Sequence, residues 1–367
     1  MSSTQYTAID NEAIGLDCSI IPTAIEGVVT IQTTDYFYPL VEDPYQQGRI
    51  ACANVLSDLF AMGISRCDTM LMILAASLEM PKDQRMIVTR ELIRGFNDLA
   101  TEAGTSVTGG QTVLNPWPII GGVASAVVPS DGGYIDPFSL VPGDVMVLTK
   151  PIGTQVAVNA YQWLGDHEAG KEGSNWDLIA DVLSPAQARV AFALASASMA
   201  RLNKSGAALM VKHGAHGATD VTGFGLLGHA RNLAEHQKAA VHISIHTLPV
   251  IENMPAVNDK FNFKLLDGWS SETSGGLLVA LPSADAAAAF CADIEAEDGW
   301  PAWIVGSVSA GSGSADIVEN PPSFRSRSHR ALMLTSSYLR PRPSNQISLL
   351  GNLKPTAWAP PRACIRS

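Results

Sequence analysis

An α/β protein built as two domains is what this sequence predicts, and three observations lead there. Segments with strand character alternate with segments of helical period in both halves of the chain. A chain of 367 residues is long enough to bury two cores. Between the halves, residues 129–143 (PSDGGYIDPFSLVPG) gather three prolines and three glycines, a composition suited to a junction. The expected units are 1–135, 142–320 and a tail, 321–367.

In chain order, Val28–Thr34 (VVTIQTT) is β-branched and roughly alternating, a strand that delivers Asp35 at its end. Gly48–Gly63 (GRIACANVLSDLFAMG) is apolar on nearly every side at helical period, yet it carries Asn54 and Asp58, four residues apart and so on one face. Thr69–Leu74 is a strand. Pro81 opens an amphipathic helix with Ile87, Leu92, Ile93, Phe96 and Leu99 as its apolar face, and Gly104 stops it. TSVTGGQT reads as a short strand running into paired glycines, and Ile119–Val128 as another strand; the pattern leaves parallel and antiparallel pairing open. The second half repeats the alternation. Asp144–Thr149 is a strand, Thr154–Leu164 a helix, and Pro185 to about Asn203 an Ala-rich helix. Asp220 precedes a glycine-punctuated turn and a further helix. Val241–Leu248 and Gly276–Leu281 are strands, Ala284–Glu295 a helix, and Trp303–Ser309 a closing strand. From Pro321 the chain has seven prolines, eight basic residues and no acid, which reads as a loosely attached tail.

Composition narrows the function. No apolar run reaches the ~18–20 residues that span a bilayer. The first residues lack the basic and apolar regions of a secretory signal. Five cysteines are scattered and never spaced CxxC, which argues against a zinc site or a disulfide framework and makes the cytoplasm the expected compartment. The net charge of −11 understates the acidity of residues 1–320, where sixteen basic residues face thirty-five acidic ones. Such a body repels nucleic acid, with the basic tail as the one segment suited to touch RNA. It also repels phosphorylated ligands unless a metal accompanies them, so an anionic ligand is expected to arrive with magnesium.

The chemistry-bearing residues are aspartates in apolar settings. An ionised Asp58 on so apolar a helix is costly to bury without a cationic partner, and no Lys or Arg lies within a turn of it. Asp17 (IGLD), Asp35 (TTD) and Asp220 (ATD) stand in comparable places. Hard divalent cations take oxygen ligands, and magnesium is commonly shared between carboxylates and substrate phosphates. Each aspartate taken singly could equally cap a helix or turn. Glycine pairs at GGQT (Gly109–Thr112), GTQ (Gly153–Gln155), TGFG (Thr222–Gly225) and ETSGGLL (Glu272–Leu278) could let backbone N–H groups approach phosphate, or could be plain turns. Neither a Walker A loop nor a Rossmann fingerprint is present. His213 and His216 stand near Asp220 without a third nitrogen or sulfur ligand, and Ser-His-Asp chemistry lacks a nucleophile elbow.

Taken together, IGLD, QTTDYFYPLVEDPYQQGRIACANVLSDLFAMG, EAGTSVTGGQTVLNPWPIIGGVAS, VPGDVMVLTKPIGTQVAV, ATDVTGFGLLGHA and ETSGGLL resemble the selenophosphate synthetase (selenide, water dikinase) family, animal type, from about Ala13 to Val318. The resemblance implies an aminoimidazole-ribonucleotide-synthetase-like fold in which the N-terminal halves of two subunits pair into a barrel-like dimer core. It implies ATP and selenide as substrates, magnesium as cofactor, and selenophosphate, AMP and orthophosphate as products. By matching motif, Asp17, Asp58 and Asp220 look like magnesium ligands, and Asp35 like a residue of the nucleotide and metal site. Gly15 and Leu16 would line the same loop as Asp17, and Gly109, Gly110, Gln111 and Thr112 an ATP-contacting turn. One departure stands out: the family carries a Cys or selenocysteine followed by Lys upstream of IGLD, whereas the fourteen residues before Gly15 include neither, and Cys18 does not match that position. No catalytic residue is therefore assigned. Either the chain belongs to selenophosphate synthesis, or it is an impaired isoform or paralogue that binds nucleotide and partners a full-length relative.

Overall fold

Two sheets, each backed by helices, organise the chain, and one helix of the first half packs into the cores of both. The computed structural model describes residues 17–319, 321 and 323–326. Gly15 and Leu16 lie outside the described residues, as does most of the expected tail.

The first half comprises β1 (Ser19–Pro22), β2 (Val28–Phe37), α1 (Pro44–Ala61), β3 (Thr69–Ser77), α2 (Lys82–Glu102), β4 (Val107–Asn115) and β5 (Ile119–Pro129). Its five strands run in the order β1-β2-β5-β3-β4, antiparallel except for the parallel β3–β4 pair. Helix α1 starts four residues before the expected Gly48, because Asp43 accepts hydrogen bonds from Tyr45 N and Gln46 N and Pro44 occupies the first turn. Helix α2 buries Leu92, Phe96 and Leu99 as the periodicity suggests, but Ile93 is exposed.

The second half runs β6 (Val145–Leu148), α3 (Thr154–Glu168), α4 (Pro185–Met199), α5 (Lys204–Lys212), β7 (Gly217–Asp220), α6 (Gly225–Glu235), β8 (Val241–Ile245), β9 (Leu248–Ile251), α7 (Met254–Phe261), β10 (Leu277–Leu281), α8 (Ala284–Asp298), β11 (Trp303–Ala310), β12 (Ser314–Ile317) and β13 (Ser323–Ser326). Six strands form a sheet in the order β12-β8-β11-β6-β10-β7, which places β7 at an edge. Three expectations are corrected here. The Ala-rich helix ends at Met199 and a separate α5 follows. Val241–Leu248 is two strands, because the chain leaves the sheet at His246–Thr247 and β9 pairs elsewhere. Residues 323–326, assigned to the loose tail, form β13 in parallel register with β9, from Ser323 opposite Leu248 to Ser326 opposite Ile251.

Helix α1 contributes to every buried apolar cluster. Val55 and Leu56 join the first sheet's core, Ile50 packs into the large core of the second half, and Ala61 joins the third cluster beside Val147 and Leu277. Its polar groups also cross between halves: Gln46 Nε2 donates to Ser196 O at 3.1 Å, and Asn203 Nδ2 donates to Ser57 Oγ at 2.9 Å. Helices α1 and α2 approach at two glycines. A Cβ on Gly95 would lie 1.9 Å from Tyr45 O, and one on Gly48 would lie 2.2 Å from Leu92 O. In Gly95→Ala the gain of about 1 kcal/mol in helix propensity is outweighed by overpacking of about 1–3 kcal/mol or more. Urea denaturation is expected to show a net loss of stability in this variant.

Candidate metal centre

The site forms where α1 meets the ends of β2 and β7. On β2, Thr33 and Asp35 are two residues apart and so share a face. Asp220 is the last residue of β7, opposite Leu277 of β10. Asp17 stands two residues before the start of β1, which pairs with β2. Asp58 comes from the last turn of α1.

One carboxylate oxygen from each of Asp17, Asp58 and Asp220 lies within 4.8 Å of the other two. Oxygens around one hard cation stand about this far apart, since metal–oxygen distances are roughly 2.0–2.6 Å. Neighbouring hydroxyls orient the group: Thr219 Oγ1 donates to Asp17 Oδ1 at 3.0 Å, and the Thr33 hydroxyl donates to Asp58 Oδ2. Asp220 is 1% exposed and its Oδ2 has no hydrogen-bond partner among the described residues. Asp35 stands beside the triad, where Asn54 Nδ2 donates to its Oδ2 at 2.7 Å.

Charge is concentrated here without compensation. Among the described residues, none of the four aspartates is in an ion pair with Lys or Arg. Burial, followed by the charge of Asp220, holds the Asp17 and Asp58 carboxyls well above the ordinary range. The same two causes raise Asp35 to about 6, opposed by its bond from Asn54. Lys150 is buried nearby, but its Nζ donates to Arg201 O at 2.7 Å and Ser274 O at 2.8 Å; burial and then the Arg201 charge push it well below the usual lysine range. Cys18 remains a thiol, raised by burial and by the surrounding aspartates, Asp58 foremost.

The remaining sequence candidates do not join this cluster. Gly109, Gly110, Gln111 and Thr112 form no turn. They lie in mid-strand on β4, exposed at the sheet edge opposite β1. The glycines are there because the backbones close in: Gly110 has φ +143°, and a Cβ on it would meet Met72 O at 2.0 Å. The N-terminus of α3 at Gly153–Thr154 is already filled. Glu272 Oε1 accepts from Gly153 N at 2.6 Å and Oε2 from Thr154 N at 3.0 Å, with burial raising this carboxyl to about 7. His213 pairs with Asp293 at 2.7 Å and His216 with Asp144 at 2.8 Å, both away from Asp220. Sequence reasoning did not single out Thr33, Thr219, Lys150 or Ser274; the alternation of β2 could have flagged Thr33, which points the same way as Asp35.

Known proteins agree with this architecture. Residues 15–128 match the AIR synthase related protein, N-terminal domain, and residues 141–319 the corresponding C-terminal domain. The chain is 51% identical over 319 residues to selenide, water dikinase of Dictyostelium discoideum, covering 84% of this chain and 85% of that protein. It is 52% identical over 312 residues to selenide, water dikinase 2 of Homo sapiens, covering 84% of this chain and 68% of that protein. The chain belongs to the selenide, water dikinase family. The hydrogenase maturation protein HypE in complex with ATP shares the fold, with a TM-score of 0.59, 18% identity and coverage of 88% of this chain and 92% of that one. So does AaThiL complexed with AMPPCP and TMP, with a TM-score of 0.59, 15% identity and coverage of 87% and 92%.

Within this family member, mutual repulsion of closely spaced carboxylates makes two measurable demands. Asp58→Asn is expected to raise the melting temperature of the metal-free chain and to remove any rise in melting temperature that added magnesium produces in the wild type; an unchanged magnesium-induced shift would remove Asp58 from the site. Asp35, with a folded value of about 6 against the ordinary 3.8, binds protons more readily folded than unfolded. It is therefore neutral to stability below both values and destabilises the metal-free fold progressively as pH rises from about 4 to about 6. The melting temperature of Asp35→Asn relative to wild type is expected to climb across that interval and level off above it.

Proposed function

We propose that the chain is an ATP-dependent selenide, water dikinase that converts selenide, ATP and water to selenophosphate, AMP and orthophosphate, the selenium donor for selenocysteine. The observation that carries this reading is the convergence of Asp17, Asp58 and Asp220 oxygens within 4.8 Å, with none of the three in an ion pair with Lys or Arg among the described residues, in a chain about half identical to proteins named for that activity.

The donor set fits magnesium. All its members are carboxylate oxygens, and the buried, unpartnered Asp220 Oδ2 is an acceptor that would otherwise stay unsatisfied. Asp17, Asp58 and Asp220 would hold the ion, with Asp35 supplementing them toward the nucleotide; magnesium bound there would neutralise polyphosphate charge and polarise a phosphoryl oxygen. The protein's own contribution is positioning. Thr33 and Thr219 hold the carboxylates in place before ligand arrives, so little reorganisation is left for phosphoryl transfer, which depends mainly on alignment and charge stabilisation. The surplus of acid repels metal-free ATP, which makes the metal complex the form admitted. No described residue takes the role of the family's Cys/Sec-Lys pair.

The resemblance pairs N-terminal halves of two subunits. The exposed edge of β4, flanked by Leu71, Val113, Leu114, Met86 and Ile93, all at least 40% exposed, suits a second copy or a full-length relative. Gly109, Gly110, Gln111 and Thr112 lie on that edge, so their contact with ATP would be made at the subunit boundary. Free thiols at Cys18, Cys52, Cys67 and Cys291 suit the cytoplasm, and no helix among the described residues is long and apolar enough to cross a membrane.

Purified protein given ATP, magnesium and selenide under reducing conditions is expected to form AMP only when selenide is present. Asp220→Asn is expected to lower that rate by at least the roughly 10–100-fold that loss of a group orienting a metal ligand costs. Wild-type protein that binds magnesium and nucleotide yet forms no selenide-dependent AMP would overturn the dikinase reading.

A further inference from the structure

Asn54 connects the carboxylate beside the metal centre to the second half of the chain. It lies one helical turn before Asp58 on α1, is 5% exposed, and uses both ends of its amide. Nδ2 donates to Asp35 Oδ2 at 2.7 Å, while Oδ1 accepts from Ser274 N at 2.8 Å. The segment it grips is held from several directions. Lys150 Nζ donates to Ser274 O at 2.8 Å, and Asn203 Nδ2 donates both to Gly275 O and to Ser57 Oγ at 2.9 Å. Ser274 has φ +47°, a left-handed conformation that a non-glycine residue keeps only when its surroundings over-determine it.

Among the described residues, Asn54 is the only group that hydrogen-bonds the Asp35 carboxylate. Asp35 is partly exposed, so without that bond its torsions are open, and repulsion from Asp17, Asp58 and Asp220 would drive it toward solvent. A charge-assisted bond from a buried, doubly anchored amide opposes that repulsion. It also fixes which carboxylate oxygen is occupied and leaves Oδ1 for a ligand.

We infer that Asn54 is a positioning residue: it aims Asp35 into the metal and nucleotide site, and it makes that aim depend on docking of the 273–276 segment onto α1. The inference rests on the magnesium–nucleotide reading above. It adds a reason for the two halves to meet at this point, since a site assembled from both is complete only when Ser274 is seated.

The test measures binding of Mn2+ with AMPPCP by calorimetry and electron paramagnetic resonance, on the full chain, in wild type, Asn54→Ala, Asp35→Ala and the double variant. Asn54→Ala is expected to weaken binding roughly 10–100-fold, as loss of a ligand-orienting partner does. Adding it to Asp35→Ala is expected to cost nothing further, because Asn54 acts through Asp35. Unchanged affinity in Asn54→Ala, or losses that multiply in the double variant, would overturn the inference and leave Asn54 as a structural strut. Should circular dichroism show Asn54→Ala unfolded at the assay temperature, Asn54→Asp replaces it. That variant keeps an acceptor for Ser274 N–H, and the same non-additivity with Asp35→Ala decides. Failure of the wild type to bind the pair would instead overturn the metal-site reading, a result distinguishable from the others.

Discussion

Four carboxylates that repel one another share a small volume, and much of the surrounding structure is explained by the need to keep them there. Two of them, Asp17 and Asp58, are held well above their ordinary protonation range by burial and by Asp220. A group of like charges in a low-dielectric setting is unfavourable unless a cation joins it. The protein meets this with hydroxyls from Thr33 and Thr219 and an amide from Asn54, neutral donors that orient the acids without cancelling their charge. An arginine at any of these places would have stabilised the fold and closed the site to metal.

The same constraint accounts for where cations do occur. Lys150 is buried and Arg201 nearly so, yet they turn to backbone carbonyls: Lys150 to Arg201 O and Ser274 O, Arg201 to Thr149 O. Burial lowers Arg201 to about 10, and its ion pair is with Asp298. Both cations thus donate to backbone carbonyls, and neither forms an ion pair with the four aspartates. Glu272 does a related task at the start of α3, where it satisfies helix N–H groups that a phosphate could otherwise have occupied.

Much of this was legible in the sequence. The aspartates could be singled out because an acid in an apolar, periodic segment breaks the local pattern, and Asn54 and Asp58 share a face by spacing alone. Strands β2, β3, β5, β6 and β10 follow from β-branched or continuous apolar runs. What escaped was set by distant partners. The glycine pair in β4 reads as a turn because only the close approach of Met72 explains it. The break between β8 and β9 depends on β9 finding β13, more than seventy residues away, and the task of Asn54 depends on a residue 220 positions on. The apolar stripe of α2 was legible, but Ile93 was not separable from it, since exposure at a sheet edge leaves no mark on periodicity.

Helix α1 walls both large cores, and this limits how such a chain can change. Ile50 and Val41 complete a cluster made almost wholly of residues after 139, while Val55 and Leu56 belong to the first sheet. Severing the chain at the Pro/Gly junction would strip each portion of apolar partners supplied by the other, so the portions are not interchangeable modules. Recombination between relatives would have to carry α1 together with the surfaces on both of its sides, leaving peripheral loops as the places where lineages can diverge freely.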